Sequence, residues 1–319
     1  MTWWQACAIM IAETTNLGIL SLPSVLATIG MVGGLILIVG LGILATYTGY
    51  VLSQFKAAYP HMNNMADVGE ILCAPLGFPR VEREISSAAQ IIFLVFTMGS
   101  HTLTRTRFFV AFDTVTGHDT CSIVWEVVVM IVLFIYTLPR TLKKVSYMSV
   151  ISFISIISAV MITMIGVGME EPDPHVQAVR NISFLKAFLS VTNIIFAYAG
   201  HVSFFSFIIE LKNPHDFSKA LFLLQTCDTT MYIVVAVVIY RYTGPDVASP
   251  TLGSASKVVS KVAWGTALPT IVLADIVYAH VAAKYIYVRM FRGTDVMSKR
   301  NFKSVGVGVI ITAILWIIT

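Results

Sequence analysis

Charge is what this sequence has least of. Asp, Glu, Lys and Arg make up 12% of its 319 residues against 57% apolar residues, and its mean hydropathy is +0.82. That polar surface is too small to clothe a water-soluble globule of this length, so the chain belongs in lipid. Enzyme signatures are missing too. There is no Gly-x-Ser-x-Gly, His-Glu-x-x-His, phosphate-binding glycine loop or metal-spaced Cys/His cluster. Ser, His and Asp occur, but nothing fixes them at a common depth for an intramembrane hydrolase. The chain therefore reads as a non-enzyme with no cofactor and no metal. Its net charge of +4 is spread over short turns rather than gathered in one patch, which leaves no nucleic acid partner to infer. Cysteine is scarce as well. Cys7 and Cys227 fall inside apolar segments, and Cys73 and Cys121 fall in connections on opposite sides, so no structural disulfide is expected. No basic n-region or small-residue cleavage site marks the start as a removable signal, and it reads as a first membrane helix.

What the sequence has is long uncharged runs. Residues Met31–Phe55, Ile85–Thr104, Val145–Met169 and Ala187–Ile209 contain no Asp, Glu, Lys or Arg. About 20 apolar residues span a bilayer core, so each can cross alone. Ser122–Leu138 with Glu126, Ala220–Tyr240 with Asp228, and Val262–Tyr287 with Asp275 and Lys284 are crossings of lower purity. With the opening segment, eight crossings are complete, and a ninth begins near Ser304 and stops at Thr319. A cytoplasmic N-terminus puts fourteen of the twenty-one Lys and Arg inside, and the positive-inside rule favours that orientation. Asn181-Ile182-Ser183 fits a glycosylation sequon on the outer side, but it lies close to the next helix and an unmodified Asn at a helix entrance is the favoured reading.

Two of these crossings are interrupted. The apolar stretch Trp3–Ile29 is broken at Glu13-Thr14-Thr15-Asn16-Leu17-Gly18, and the sixth crossing at Ala197-Tyr198-Ala199-Gly200-His201. A polar, glycine-containing break at mid-membrane is tolerated only where it faces protein or a water-filled cavity. Interrupted helices at corresponding positions of two halves point to a transporter of inverted repeats. The breaks lie five crossings apart, an odd number, so the second half inserts upside down. Each break exposes a half-helix N-terminus suited to a carboxylate, while freed carbonyls and hydroxyls suit an ammonium group. Thr14, Thr15, Asn16, Leu17 and Gly18, with Phe196, Ala197, Tyr198, Ala199 and Gly200, are thus expected to hold a small-molecule amino acid substrate.

Glu13 through Pro23, the run Phe196-Ala-Tyr-Ala-Gly-His201 and the ending Ile208-Ile-Glu-Leu-Lys-Asn-Pro214 resemble the amino acid/auxin permease family, especially its fungal neutral amino acid permeases. Tyr240–Gly244, Leu252–Ser256 and His280–Gly293 extend the resemblance over essentially the whole chain. It implies an all-α polytopic membrane protein, the LeuT-like five-plus-five inverted-repeat helical bundle, with a first repeat at about residues 3–169 and an incomplete second at about 184–319. It also implies proton-coupled uptake at the plasma or vacuolar membrane, with the proton favoured over sodium. Family members usually have eleven crossings and a hydrophilic segment before the first. This chain starts at the first and stops within the ninth, so it reads as truncated there. An amino acid sensor and a non-transporting fragment stay open beside a permease.

Coupling needs a group whose proton affinity responds to burial and substrate. Glu13 beside the first break and His201 beside the second are candidates, each balanced by a purely structural role. By the resemblance, Asp275 lies on a helix that meets the first and is a third candidate. Asp228, flanked by Thr226, Thr229 and Thr230, reads as structural, on a helix that is usually peripheral in this fold. Gln90, Phe93, Thr97 and Ser100 share one helical face, and the resemblance implies that this helix lines the site. Phe93 and Phe196 could cover an apolar side chain, with Tyr198 supplying a hydroxyl. A bulky neutral or aromatic amino acid is the expected substrate.

Overall fold

A computed structural model of the chain describes residues 2–15, 17–62, 64–116, 122–137, 145–291 and 302–319. Every regular element among them is helical. Twelve α-helices follow in order: α1 Trp3–Thr14, α2 Leu22–Ile29, α3 Met31–Ala58, α4 Met65–Cys73, α5 Pro79–Thr116, α6 Ser122–Thr137, α7 Val145–Gly168, α8 Phe184–Ala197, α9 His201–Glu210, α10 Phe217–Thr243, α11 Lys257–Phe291 and α12 Phe302–Ile318. Six spans among the described residues are long and apolar enough to cross a membrane, and the bent pair α1 and α2 makes a seventh. The side chains that α3 leaves exposed are themselves apolar, Ile36, Ile43 and Tyr47 among them. A soluble protein would hide such a band; in lipid it is the outer surface.

The sequence and the structure differ at two places. Of the eight complete crossings expected, the fourth is described over Ser122–Thr137 as α6, and Leu138 lies outside the described residues. The third crossing was expected to run out at Thr104–Arg107. Instead α5 continues through Arg105 and Arg107 to Thr116, so these two charges do not end the helix. Ahead of α5, the connection that holds Cys73 contains a helix, α4. Arg83 pairs with Glu70 at 3.1 Å, tying the start of α5 to α4.

The chain divides into two compact units, Met1–Asn64 with Ser149–Thr270, and Met65–Met148 with Ile271–Thr319. In the first unit α10 packs against α1, α2 and α3. Ala6, Cys7 and Met10 of α1 meet Phe204 and Ile208 of α9 and Phe217, Ala220, Leu221 and Leu224 of α10 in one buried cluster. Glycine lets these helices approach: a Cβ on Gly49 of α3 would stand 2.9 Å from the Phe204 ring. In the second unit Leu94 and Met98 of α5 pack with Leu133 of α6, Ile276 and Ala279 of α11, and Ile311 and Trp316 of α12. Arg289 of α11 also bonds Glu84 of α5 there.

A strap of irregular chain, residues 177–180, is pinned to the elbow between α2 and α3. Met31 N donates to Gln177 O at 3.0 Å, Val32 N to Ala178 O at 2.9 Å, and Arg180 N to Ile29 O at 2.9 Å. The Arg180 guanidinium adds a bond to Ala27 O. Gly30 makes the elbow with φ +101° and ψ 160°, a region essentially reserved for glycine. A Cβ there would lie 2.7 Å from Ala178 O and from Val179 Cα. Gly30→Ala is therefore expected to destabilise the protein by about 2 kcal/mol, from backbone strain and overpacking together. Thermal unfolding of the detergent-purified variant checks this, and an unchanged midpoint would contradict the strained elbow.

Candidate functional site

Both interrupted crossings lie in the first unit, and each break has a local cause. Along the first, α1 ends at Thr14, where Thr15 N still reaches Ile11 O at 2.9 Å. A tight 3₁₀ turn, Leu17–Ser21, then leads into α2, whose second residue is Pro23. Proline suits a helix's first turn, because its missing N–H would have had no intrahelical acceptor there. The two halves are bent by 45°. Along the second, Tyr198 N bonds back to Ile194 O and Ile195 O, both at 3.2 Å. Gly200 N then bonds Tyr198 O at 2.8 Å, and α9 restarts at His201. By helix geometry the first amides of α2 and α9 have no acceptor within their own helix.

The breaks touch each other. A Cβ on Gly18 would stand 2.8 Å from the Ala197 backbone Cα, and one on Gly200 would stand 2.7 Å from the Thr14 methyl group. Backbones meet this closely only where glycine stands on one side. The structure thus brings Thr14, Thr15 and Gly18 together with Ala197, Tyr198 and Gly200. Asn16 lies outside the described residues, as does the Leu17 side chain. Phe196 is half-buried, and Ala199 N donates to Phe196 O at 3.2 Å. Phe93 and Thr97 belong to the second unit, where the Thr97 hydroxyl donates to Phe93 O at 2.8 Å. Asp275, fully buried, belongs to that unit as well.

The hydroxyl expected of Tyr198 is already engaged. It lies 3.2 Å from Ile38 O of α3 and 3.0 Å from Thr229 Oγ1 of α10. Gly42 makes room for it, since a Cβ there would come 2.9 Å from that hydroxyl. Glu13 accepts a bond from Ser203 Oγ of α9 at 2.8 Å. His201 Nε2 lies 2.8 Å from Thr48 Oγ1 and 3.0 Å from Ala45 O, tying α9 to α3. Both titratable side chains therefore bridge a broken helix to a neighbour.

Two residues outside the expected set meet the breaks most directly. Asp228 of α10, 1% exposed, accepts a bond from Thr14 Oγ1 at 2.6 Å and another from Thr15 Oγ1 at 2.9 Å. One helical turn on, the Tyr232 hydroxyl donates to Ala197 O at 2.8 Å and lies 3.3 Å from Thr14 O. The helix expected to be peripheral thus supplies partners to both interruptions. An acid among threonines inside an apolar helix was the signal available in the sequence; nothing local distinguished Tyr232.

Over residues 1–319 the chain matches the family described as transmembrane amino acid transporter protein. It is 34% identical over 300 residues to the N amino acid transport system protein of Neurospora crassa, covering 91% of this chain and 62% of that one. It is 28% identical over 312 residues to a transmembrane transporter of Fusarium pseudograminearum, covering 95% and 64%. Amino acid transporter AVT1H of Arabidopsis thaliana is 26% identical over 266 residues, covering 81% and 61%. The chain thus spans less than two thirds of the length of each of these relatives. Among solved structures, a Na+-coupled sialic acid symporter in a substrate-bound outward-open state superimposes with a TM-score of 0.62 at 13% identity, over 100% of this chain and 72% of that one. The likeness shows the LeuT-like five-plus-five inverted-repeat fold.

The close approach at Gly18 has a measurable cost. In Gly18→Ala the new methyl meets backbone and a helix must shift, for about 1–3 kcal/mol. Gly200→Ala meets side chains alone, the Thr14 methyl group at 2.7 Å and the Phe204 ring at 3.3 Å, and should cost less. Tyr232→Phe, which strips a donor from Ala197 O, should cost about 1–2 kcal/mol. Unfolding midpoints of the three purified variants check the order; a milder effect for Gly18→Ala than for Gly200→Ala would contradict the packing described.

Proposed function

The chain belongs to the transmembrane amino acid transporter family, and from that premise we propose that it moves a neutral or aromatic amino acid across the membrane by alternating access, driven by protons. The observation that carries this reading is the contact between the two breaks. Gly18 against Ala197 and Thr14 against Gly200 put two interrupted helices side by side within one compact unit. A helix interrupted in lipid is costly unless the interruption is used, and two that meet make one site from both.

Backbone does the recognition in this reading. The N-terminal amides of α2 and α9 face the substrate carboxylate, favoured by the helix dipole. Free backbone carbonyls at Thr14–Gly18 and Phe196–Gly200 face its ammonium group. Phe196, half-buried beside the second break, selects an apolar or aromatic side chain. The N-terminus is cytoplasmic, as the distribution of Lys and Arg favours, in the plasma or vacuolar membrane. Glu13 and His201 support proton coupling because each joins a broken helix to a neighbour through a titratable group. A proton gained or lost there acts on the joint between moving parts, and Asp275 of α11 is the third candidate. The neutrality of the selected side chain needs no charged partner, and the cargo needs no cofactor.

Reconstituted in liposomes, the protein is expected to take up labelled neutral amino acids faster as the pH outside falls. A protonophore should abolish accumulation, and replacing sodium should not. Gly18→Val and Gly200→Val should each lower uptake by about tenfold or more, because a branched side chain separates the breaks. Retained uptake in both variants would remove the site, and uptake indifferent to the protonophore would remove the coupling.

A further inference from the structure

Asp228 is singular among the acids of the first unit because its partners are the two residues at the very end of α1. Thr14 closes the helix and Thr15 caps it, and each hydroxyl bonds a different oxygen of the same carboxyl group, Thr14 to Oδ2 at 2.6 Å and Thr15 to Oδ1 at 2.9 Å. No Lys, Arg or His pairs with it among the described residues. The titratable groups near it are Cys7 from α1, Tyr198 from the second break, and Cys227 and Tyr232 on α10 itself, while Glu13, beside Thr14 on α1, accepts a bond from Ser203 of α9. Of the other helices packed on α10, α2 carries no titratable side chain. On α3, Tyr50 makes a tilted ring contact with Phe222, and Lys56 donates to the carbonyls of Pro60 and Met62. A carboxyl group this deep, without a cation, is costly as an anion and sits where a single proton changes the local charge completely.

Proton counting at Thr14 gives the site two self-consistent forms. The Thr14 hydroxyl has one hydrogen and three acceptors within reach: Asp228 Oδ2 at 2.6 Å, Met10 O at 2.9 Å and Ile11 O at 3.4 Å. It can serve only one of them well. When Asp228 is a carboxylate, Thr14 and Thr15 both donate to it, and the bonds are charge-assisted, roughly twice as strong as neutral ones. When Asp228 is protonated at Oδ2, that new O–H donates to Thr14 Oγ1, whose own hydrogen turns to Met10 O. Thr15 donates to Oδ1 in both forms. No heavy atom has to move for the exchange.

We propose that Asp228 is a proton-binding site that latches the first break, taking a proton at Oδ2 against Thr14 and handing the Thr14 hydrogen to Met10 O. The reaction is a carboxylate and one proton giving a carboxylic acid, with a single negative charge removed from beside the interrupted backbone. The charged form holds the end of α1 to α10 by two strong bonds, and the neutral form relaxes that hold. The proton is thereby linked to the mobility of the half-helix that carries the substrate-binding residues. The coupling group then lies on α10, outside the set Glu13, His201 and Asp275. This inference rests on the transport reading and names its coupling residue.

The test compares two activities of the reconstituted full protein. Exchange of labelled against unlabelled amino acid at equal pH needs the site and the conformational cycle but no net proton movement. Accumulation driven by an inside-alkaline pH gradient needs coupling. In Asp228→Asn the carboxamide keeps size and hydrogen bonding but cannot titrate. Exchange is expected to stay within about threefold of the unaltered protein, while accumulation falls to an inside-to-outside ratio of about one. Asp228→Glu is expected to accumulate substrate, with the midpoint of its pH dependence displaced. Undiminished gradient-driven accumulation by Asp228→Asn overturns the proposal. So does loss of exchange together with accumulation in both Asp228 variants when they elute as folded protein, since Asp228 would then be structural or substrate-holding. If the unaltered protein exchanges no amino acid, the transport reading itself fails, and this inference with it.

Discussion

Everything in the first unit follows from one requirement: a peptide group in hydrocarbon must find its hydrogen-bond partner inside the protein. Two crossings give up helical continuity at mid-length, and the released carbonyls and hydroxyls have to be answered from elsewhere in the fold. The answer comes largely from one helix. On α10, Asp228, Thr229 and Tyr232 lie within two turns and reach Thr14, Thr15, Tyr198 and Ala197. The glycines are the steric counterpart of this arrangement. Gly18, Gly42 and Gly200 each stand where a side chain would push a break away from its partner.

The same arrangement separates what is fixed from what is adjustable. Tyr232 holds the second break by donating to a backbone carbonyl, an acceptor that does not titrate. Asp228, Glu13 and His201 hold their partners through titratable atoms. One unit thus holds its breaks through one backbone carbonyl and several titratable groups, which suits the alternating access proposed for it.

Much of this could be seen in the sequence because lipid makes patterns conspicuous. Polar residues with glycine inside an apolar run, as at Glu13–Gly18, announce themselves against a uniform background, and their recurrence five crossings later fixed the fold class. Partnership was harder. Thr14 and Asp228 are 214 positions apart, and a carboxylate among threonines looks the same whether it bonds its own helix or another. The seventh crossing looked peripheral because that helix is usually peripheral in the fold that the resemblance implies, whereas α10 shows its importance through whom it touches. Tyr198 misled in the opposite way: its place beside a break suggested a hydroxyl offered to substrate, but that oxygen is used between α3 and α10. Helix ends were missed where charges stood, since α5 carries Arg105 and Arg107 within a continuing helix.

The strap over the α2–α3 elbow acquires a mechanical meaning from the length of α2. Eight residues at 1.5 Å each make that helix only ~12 Å long, with strap bonds at one end and the Gly18 contact near the other. A rod so short and so firmly gripped transmits displacement without bending. Residues 177–180 and the Gly18 contact therefore sit at the two ends of one short helix, so a change of loop composition at the strap lies only the length of that helix from the place where the two interrupted helices meet.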